Sequence, residues 1–168
     1  YFVFTYNFYR NSSSSQLIKR MVKQFKEEFS DTIRARAEQI GFSVHETMTM
    51  ASIIQGEVMV WDEATTISSV YHNRLRIRMH LGADPTIQYA IPGPPRRLLN
   101  KDIEIDSPYN TYRNYGLPPG PINNPGRRAL YAAVNPAKTD YLYFVARGDG
   151  SHSFNKTSAG HEQDKKKF

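Results

Sequence analysis

The sequence predicts an α+β fold in which helices pack on a small, mainly antiparallel sheet. Three observations carry this reading. Apolar residues recur at helical spacing through most of the first half, short β-prone runs stand at 1–9, 86–90 and 141–154, and a Pro- and Gly-rich tract separates two of them. At 168 residues the chain suits one domain with a real core, and with no linker in sight residues 1–168 are expected to form a single unit. Hydrophobic residues at 39% and aromatics at 12% exclude a disordered tail.

Residues 1–9 open on Tyr1-Phe2-Val3-Phe4, which reads as a strand already under way. That predicts a longer parent protein with any membrane anchor upstream. A helix follows over about 16–29, with Leu17, Ile18, Met21, Val22, Phe25 and Phe29 on one face and Ser14 or Ser15 as its cap. A polar helical continuation over 31–39 ends at Gly41. Ser43 and Glu46 stand in capping-box spacing at the start of the next helix. It carries Met50, Ile53, Ile54 and Glu57 along one stripe and stops near Val60. Asp62 is the expected cap of a third helix, with Ile67, Val70, Tyr71, Leu75 and Met79 inward.

Residues 86–90 read as a short strand, and 92–125 as a long loop whose length points to function and whose Tyr and Leu content argues against disorder. A short helix over 126–134 ends at Asn135-Pro136. Residues 141–146, the turn Gly148-Asp149-Gly150 and residues 152–154 form a hairpin, and Lys165-Lys166-Lys167 reads as a solvated end. The opening strand, 86–90 and the hairpin are expected to make up the sheet.

The formal charge is +6 and the pI near 9.5, which admits an anionic partner. The basic residues are scattered and no nucleic-acid motif accompanies them, so no nucleic acid is expected. The chain has no Cys, which excludes disulfides, thiolate catalysis and Cys-bound metals. His45, His72, His80, His152 and His161 show no metal-ligand spacing, and neither a metal nor a cofactor is predicted. No apolar run approaches the ~20 residues that span a bilayer, and no signal peptide is visible.

Glu57 is the first candidate for chemistry. It follows Ile53 and Ile54 by one helical turn, so it lies on the apolar stripe, where lost hydration favours the neutral carboxyl. The helix end, with its partial negative charge, pushes the same way. Gly56 beside it would leave room for a substrate. These are the requirements of a general acid that keeps its proton near neutral pH. The same pattern also describes a buried Glu paired with an Arg, the commoner arrangement.

A set of ordered blocks narrows the choice. They are Ala51-Ser52-Ile53-Ile54-Gln55-Gly56-Glu57, Val70-Tyr71-His72-Asn73-Arg74-Leu75, and Asp84-Pro85-Thr86-Ile87-Gln88-Tyr89-Ala90. Asp106-Ser107-Pro108-Tyr109-Asn110-Thr111-Tyr112 leads into Gly116-Leu117-Pro118-Pro119-Gly120, and Asn135-Pro136-Ala137-Lys138-Thr139 and Tyr141-Leu142-Tyr143-Phe144-Val145 close the series. Over roughly 16–161 the chain resembles the endolytic murein transglycosylases of the MltG/YceG type.

The resemblance implies a YceG-like catalytic domain that cleaves peptidoglycan glycan strands between N-acetylmuramic acid and N-acetylglucosamine, leaving 1,6-anhydro ends. It also implies attachment to the membrane through an upstream segment, work at the extracytoplasmic face, and peptidoglycan synthases as partners. By resemblance Glu57 is catalytic, and Tyr109, Asn110, Thr111 and Tyr112 line the cleft. Asn110 otherwise stabilises its own turn. Asn73, Arg74 and Gln88 are further cleft candidates. Asp84 is either a second acid or the turn residue of an Asp-Pro step. Many members carry an EKE-like triplet where this chain has Gln55-Gly56-Glu57, and Arg147 stands where an acidic residue is usual. The alternatives are a non-catalytic glycan-binding module and a hydrolytic muramidase using Glu57 and Asp84.

Overall fold

The computed structural model describes residues 5–168. Helices α1 (Ser14–Glu28), α2 (Asp31–Gln39) and α3 (Val44–Glu57) come first, and a 3-10 turn at Trp61–Glu63 leads into α4 (Ala64–Arg76). Helices α5 (Asp84–Ala90) and α6 (Arg127–Val134), a hairpin of β1 (Tyr143–Ala146) and β2 (His152–Asn155), and α7 (Ser158–Lys167) complete the order. The predicted class stands: helices with a small antiparallel sheet.

Helix α3 is the centre of the core. It starts where the sequence placed it, with Ser43 and Glu46 closing a reciprocal capping box. Every residue from Thr47 to Ile54 is buried, so the helix is enclosed on all sides and not along one stripe. Its polar side chains are satisfied locally, Thr47 donating to the Ser43 carbonyl at 2.8 Å and Ser52 to that of Thr49 at 2.7 Å. Helix α6 offers Ala129, Ala132 and Ala133, whose small side chains let it lie close against α3. Fully burying a side chain such as Ile53 contributes about 1.5–3 kcal/mol.

Several expectations are corrected. Residues 86–90 are not a strand but the body of α5. Pro85 occupies the first turn of that helix, where its fixed φ and missing N–H are harmless, and so short an apolar run has no decisive period. Residues 1–4 of the expected opening strand lie outside the described residues, and residues 5–9 carry no regular structure. The sheet therefore holds β1 and β2 alone among the described residues, with Phe144 opposite Phe154 and Ala146 opposite His152. Ser13, one residue before the expected position, caps α1, and Asp62 does not cap α4. Lys165-Lys166-Lys167 are exposed, as expected, but they end a helix, α7, capped by Thr157 and bound to the hairpin where Ser153 and Asn155 donate to Asp164.

The hairpin is fixed across α4 at both ends. Near its start, the His152 ring nitrogen lies 2.8 Å from the Glu63 carboxylate and the His152 N–H donates to it. Near its far end, Arg74 Nε donates to the Leu142 carbonyl at 2.7 Å. The long loop between α5 and α6 is ordered by side chains that satisfy its own backbone. Asp102 takes both ends of the Arg96 guanidinium, which holds its carboxyl down at about 2. Asn110 donates to the carbonyls of Ile103 and Ile105 and accepts from the Tyr112 N–H.

Candidate active site

Glu57 is the last residue of α3, and the chain turns extended at Val58. Helices α4 and α5 converge on it. From α4, the Tyr71 hydroxyl donates to Glu57 Oε2 at 3.2 Å. From α5, Asp84 faces the same opening, and the Tyr112 hydroxyl donates to Asp84 Oδ1. The Glu57 carboxyl is raised to about 7. Burial is the largest cause, and the negative charge of Asp84 is the second; the Tyr71 hydrogen bond and the Arg74 charge oppose both. Glu57 keeps some solvent contact on the cleft side, so it is enclosed without being sealed. Tyr71 and Tyr112 are pushed above the usual phenol range, chiefly by burial, and so remain fixed donors.

Gly56 has a second use besides the one expected of it. It lines the cavity beside Glu57, as expected, and a Cβ there would also lie 2.7 Å from Pro85 Cβ, so the missing side chain makes room for α5 as well. That close approach brings Asp84 to Glu57. Gln55 points elsewhere: its Oε1 accepts from the Gly126 N–H at 2.9 Å and holds the start of α6.

Glu57 and Asp84 line two cavities at once. One, of about 440 Å³, continues over Pro85, Gln88, Tyr89, Ile122 and Asn123. The other, of about 600 Å³, lies on the hairpin side under Arg74, Tyr112, Tyr143 and His161. Glu57 and Asp84 thus sit where two chambers meet. A larger cavity of about 850 Å³ lies elsewhere, between α2, α4 and residues 134–140, and contains neither Glu57 nor Asp84.

Of the residues named from sequence, Glu57, Arg74, Asp84, Gln88 and Tyr112 come together here. Gln88 lines its cavity, but its amide also bonds both backbone groups of Arg96 and so ties the loop to α5. Tyr109 stands next door, its ring 4.8 Å from that of Tyr89. Three candidates lie away from this opening. Asn110 and Thr111 are 0% and 1% exposed, out of reach of any ligand. Asn110 builds its own turn, while Thr111 Oγ1 accepts from the Ala83 N–H at 2.9 Å and so positions the start of α5. Asn73 lines the larger cavity, its Nδ2 donating to the carbonyls of Thr139 and Tyr141 at 2.9 Å each.

Sequence reasoning missed Tyr71, Tyr89, Asn123 and Tyr143 as site residues. Tyr71 alone left a signal, because a phenol at a core position needs a polar partner for its hydroxyl. Among the described residues no group of three or more His, Asp or Glu could hold a metal ion.

The profile described as the YceG-like family matches residues 1–167. A Bacillus subtilis protein named endolytic murein transglycosylase is 44% identical over 94% of this chain, which spans 44% of that relative. A Streptococcus pneumoniae protein of the same name is 33% identical over 84% of the chain, which spans 26% of it. The chain therefore covers less than half the length of these relatives. The crystal structure of a yceG-like protein from Listeria monocytogenes superposes with a TM-score of 0.85 at 41% identity, over 94% of this chain and 51% of that one. The chain belongs to the YceG-like family.

Proposed function

We propose that residues 1–168 form the catalytic unit of a lytic transglycosylase that cuts peptidoglycan glycan strands internally. The bond broken joins C1 of N-acetylmuramic acid to O4 of N-acetylglucosamine. The observation that carries this reading is a carboxyl raised to about 7 at the meeting point of two cavities. The names of the relatives support the choice of polymer.

Protonated Glu57 donates to O4, and the C1–O4 bond breaks as positive charge develops on the muramyl ring. Asp84 shares the opening with Glu57 and faces that charge. Glu57, now a carboxylate, accepts the proton of the C6 hydroxyl as O6 bonds to C1. This closes a 1,6-anhydro ring with no water consumed. The nucleophile is part of the reacting sugar, so attack is intramolecular and one acid/base group suffices. Resemblance to the family supports terminating or trimming nascent strands beside the synthases, at the extracytoplasmic face of the membrane.

The products of uncross-linked glycan strands, weighed by mass spectrometry, test the proposal. Anhydro ends, each one water lighter than a hydrolytic end, are expected. Reducing ends would instead make the protein a muramidase with Asp84 as its second acid, a reading that Asp84's place beside Glu57 favours over any other pair. Binding without cleavage would make it a glycan-binding module.

A further inference from the structure

The two chambers that meet at Glu57 differ in chemistry. The α5 side presents Pro85, Tyr89 and Ile122 with the amides of Gln88 and Asn123, a neutral surface suited to sugar rings and acetamido groups. The hairpin side presents a cation, Arg74, fixed from three directions. Its Nε donates to the Leu142 carbonyl at 2.7 Å and one Nη to the Leu81 carbonyl at 2.5 Å, and its guanidinium lies 5.6 Å from the Tyr143 ring centroid. Tyr143 in turn stacks on His161.

Among the described residues no carboxylate lies within ion-pair distance of Arg74. Two other acids share the chamber with Glu57, and both are engaged: Asp84 by the Tyr112 hydroxyl, and Glu162 by Lys165 at 3.1 Å. A largely enclosed guanidinium without a counter-ion is costly unless an anion arrives. The same chamber holds two histidines with unsatisfied nitrogens, since His80 Nε2 and His161 Nδ1 have no partner among the described residues.

We propose that the hairpin-side chamber is a subsite for the carboxylate-bearing peptide arm of the glycan strand, with Arg74 as the residue that receives the carboxylate. The assignment rests on the murein-strand reading of the cleft and adds a preference within it. The glycan itself offers hydroxyls and acetamides, whereas the lactyl-linked peptide supplies carboxylates beside the muramyl residue whose bond is cut. A guanidinium N–H gives a carboxylate a charge-assisted hydrogen bond, about twice as strong as one to a neutral sugar hydroxyl. Arg74 lines the same chamber as Glu57, and its second Nη has no protein partner among the described residues, so the peptide arm and the scissile bond would be held together.

The test compares kcat/KM on uncross-linked strands that carry their peptides with the same strands stripped of peptide by an amidase. Wild type is expected to prefer the peptide-bearing strands by about 10- to 100-fold, the worth of one charge-assisted contact. Arg74→Gln should abolish the preference, read as the ratio of the two rates whatever its effect on each, and Arg74→Lys should keep part of it. Thermal melting of each variant checks that the hairpin stays docked. If Arg74→Gln melts early, binding of both polymers to folded Glu57→Gln protein decides instead, and tighter binding of the peptide-bearing strand is expected. Equal wild-type rates on the two polymers, or equal binding by Glu57→Gln, overturns the subsite while leaving the transglycosylase reading intact. Failure of wild type to cleave either polymer would count against that reading itself.

Discussion

Replacing Glu57 by Gln should make the protein more stable at alkaline pH while removing its activity. The native carboxyl is raised from an ordinary 4.5 to about 7, so the folded protein holds this proton over a pH range in which the unfolded chain has released it. Native stability therefore falls as pH climbs from about 4.5 to about 7, and stays lowered above that. The full interval corresponds to about 3 kcal/mol, and the solvent contact that Glu57 retains reduces this to about 2–3 kcal/mol. Gln has the shape of the neutral acid and still accepts from the Tyr71 hydroxyl, but it never has to ionise beside Asp84. For a chain of 168 residues the variant should melt about 5–10 °C above wild type at pH 8 and within about 1 °C of it at pH 4. Differential scanning calorimetry at the two pH values reads this directly. A difference of the same size at both pH values, or a variant less stable than wild type at pH 8, would refute the claim that Glu57 is held protonated by its surroundings.

The remaining predictions use the same assays. Glycan cleavage by wild type should fall as pH rises through about 7, because the proton given to O4 is then lost from Glu57, and Glu57→Gln should lower kcat by about 10²–10⁴-fold below that pH. Gly56→Ala sets a Cβ 2.7 Å from Pro85 and must push α5 away from α3; about 1–3 kcal/mol of stability and a larger share of activity should be lost, measured by urea unfolding and turnover. Asn110→Ala orphans the carbonyls of Ile103 and Ile105 and should cost about 2–4 kcal/mol, with faster proteolysis in the loop over 91–125 as the visible sign. Tyr112→Phe removes the donor to Asp84 and should lower kcat about tenfold with little change in melting temperature.

Much of the fold was legible because it is written in local chemistry. The Ser43–Glu46 box marks the start of α3, the Gly148-Asp149-Gly150 turn marks the hairpin, with φ of +87° and +90° at its glycines, and Asn135-Pro136 marks the end of α6. What failed did so where local signals were ambiguous. Thr86 to Ala90 is too short for its period to separate strand from helix, and only packing against α3 decides the matter. Helix α7 has little apolar patterning of its own; it forms because the hairpin supplies Ser153 and Asn155 as donors to Asp164.

The site divides along the same line. The sequence alone determined that Glu57 lies at the end of an apolar helix, and its ordered blocks carry the family resemblance. Why that acid holds its proton is a tertiary matter. Asp84 stands 27 positions away in sequence, Tyr71 belongs to another helix, and Gly56 draws α3 and α5 together. Asn110 and Thr111 belong to the blocks that carry the resemblance, yet burial assigns them to the scaffold. A sequence records which residues are present, whereas desolvation and charge proximity depend on distances through space, and only the packed chain fixes those.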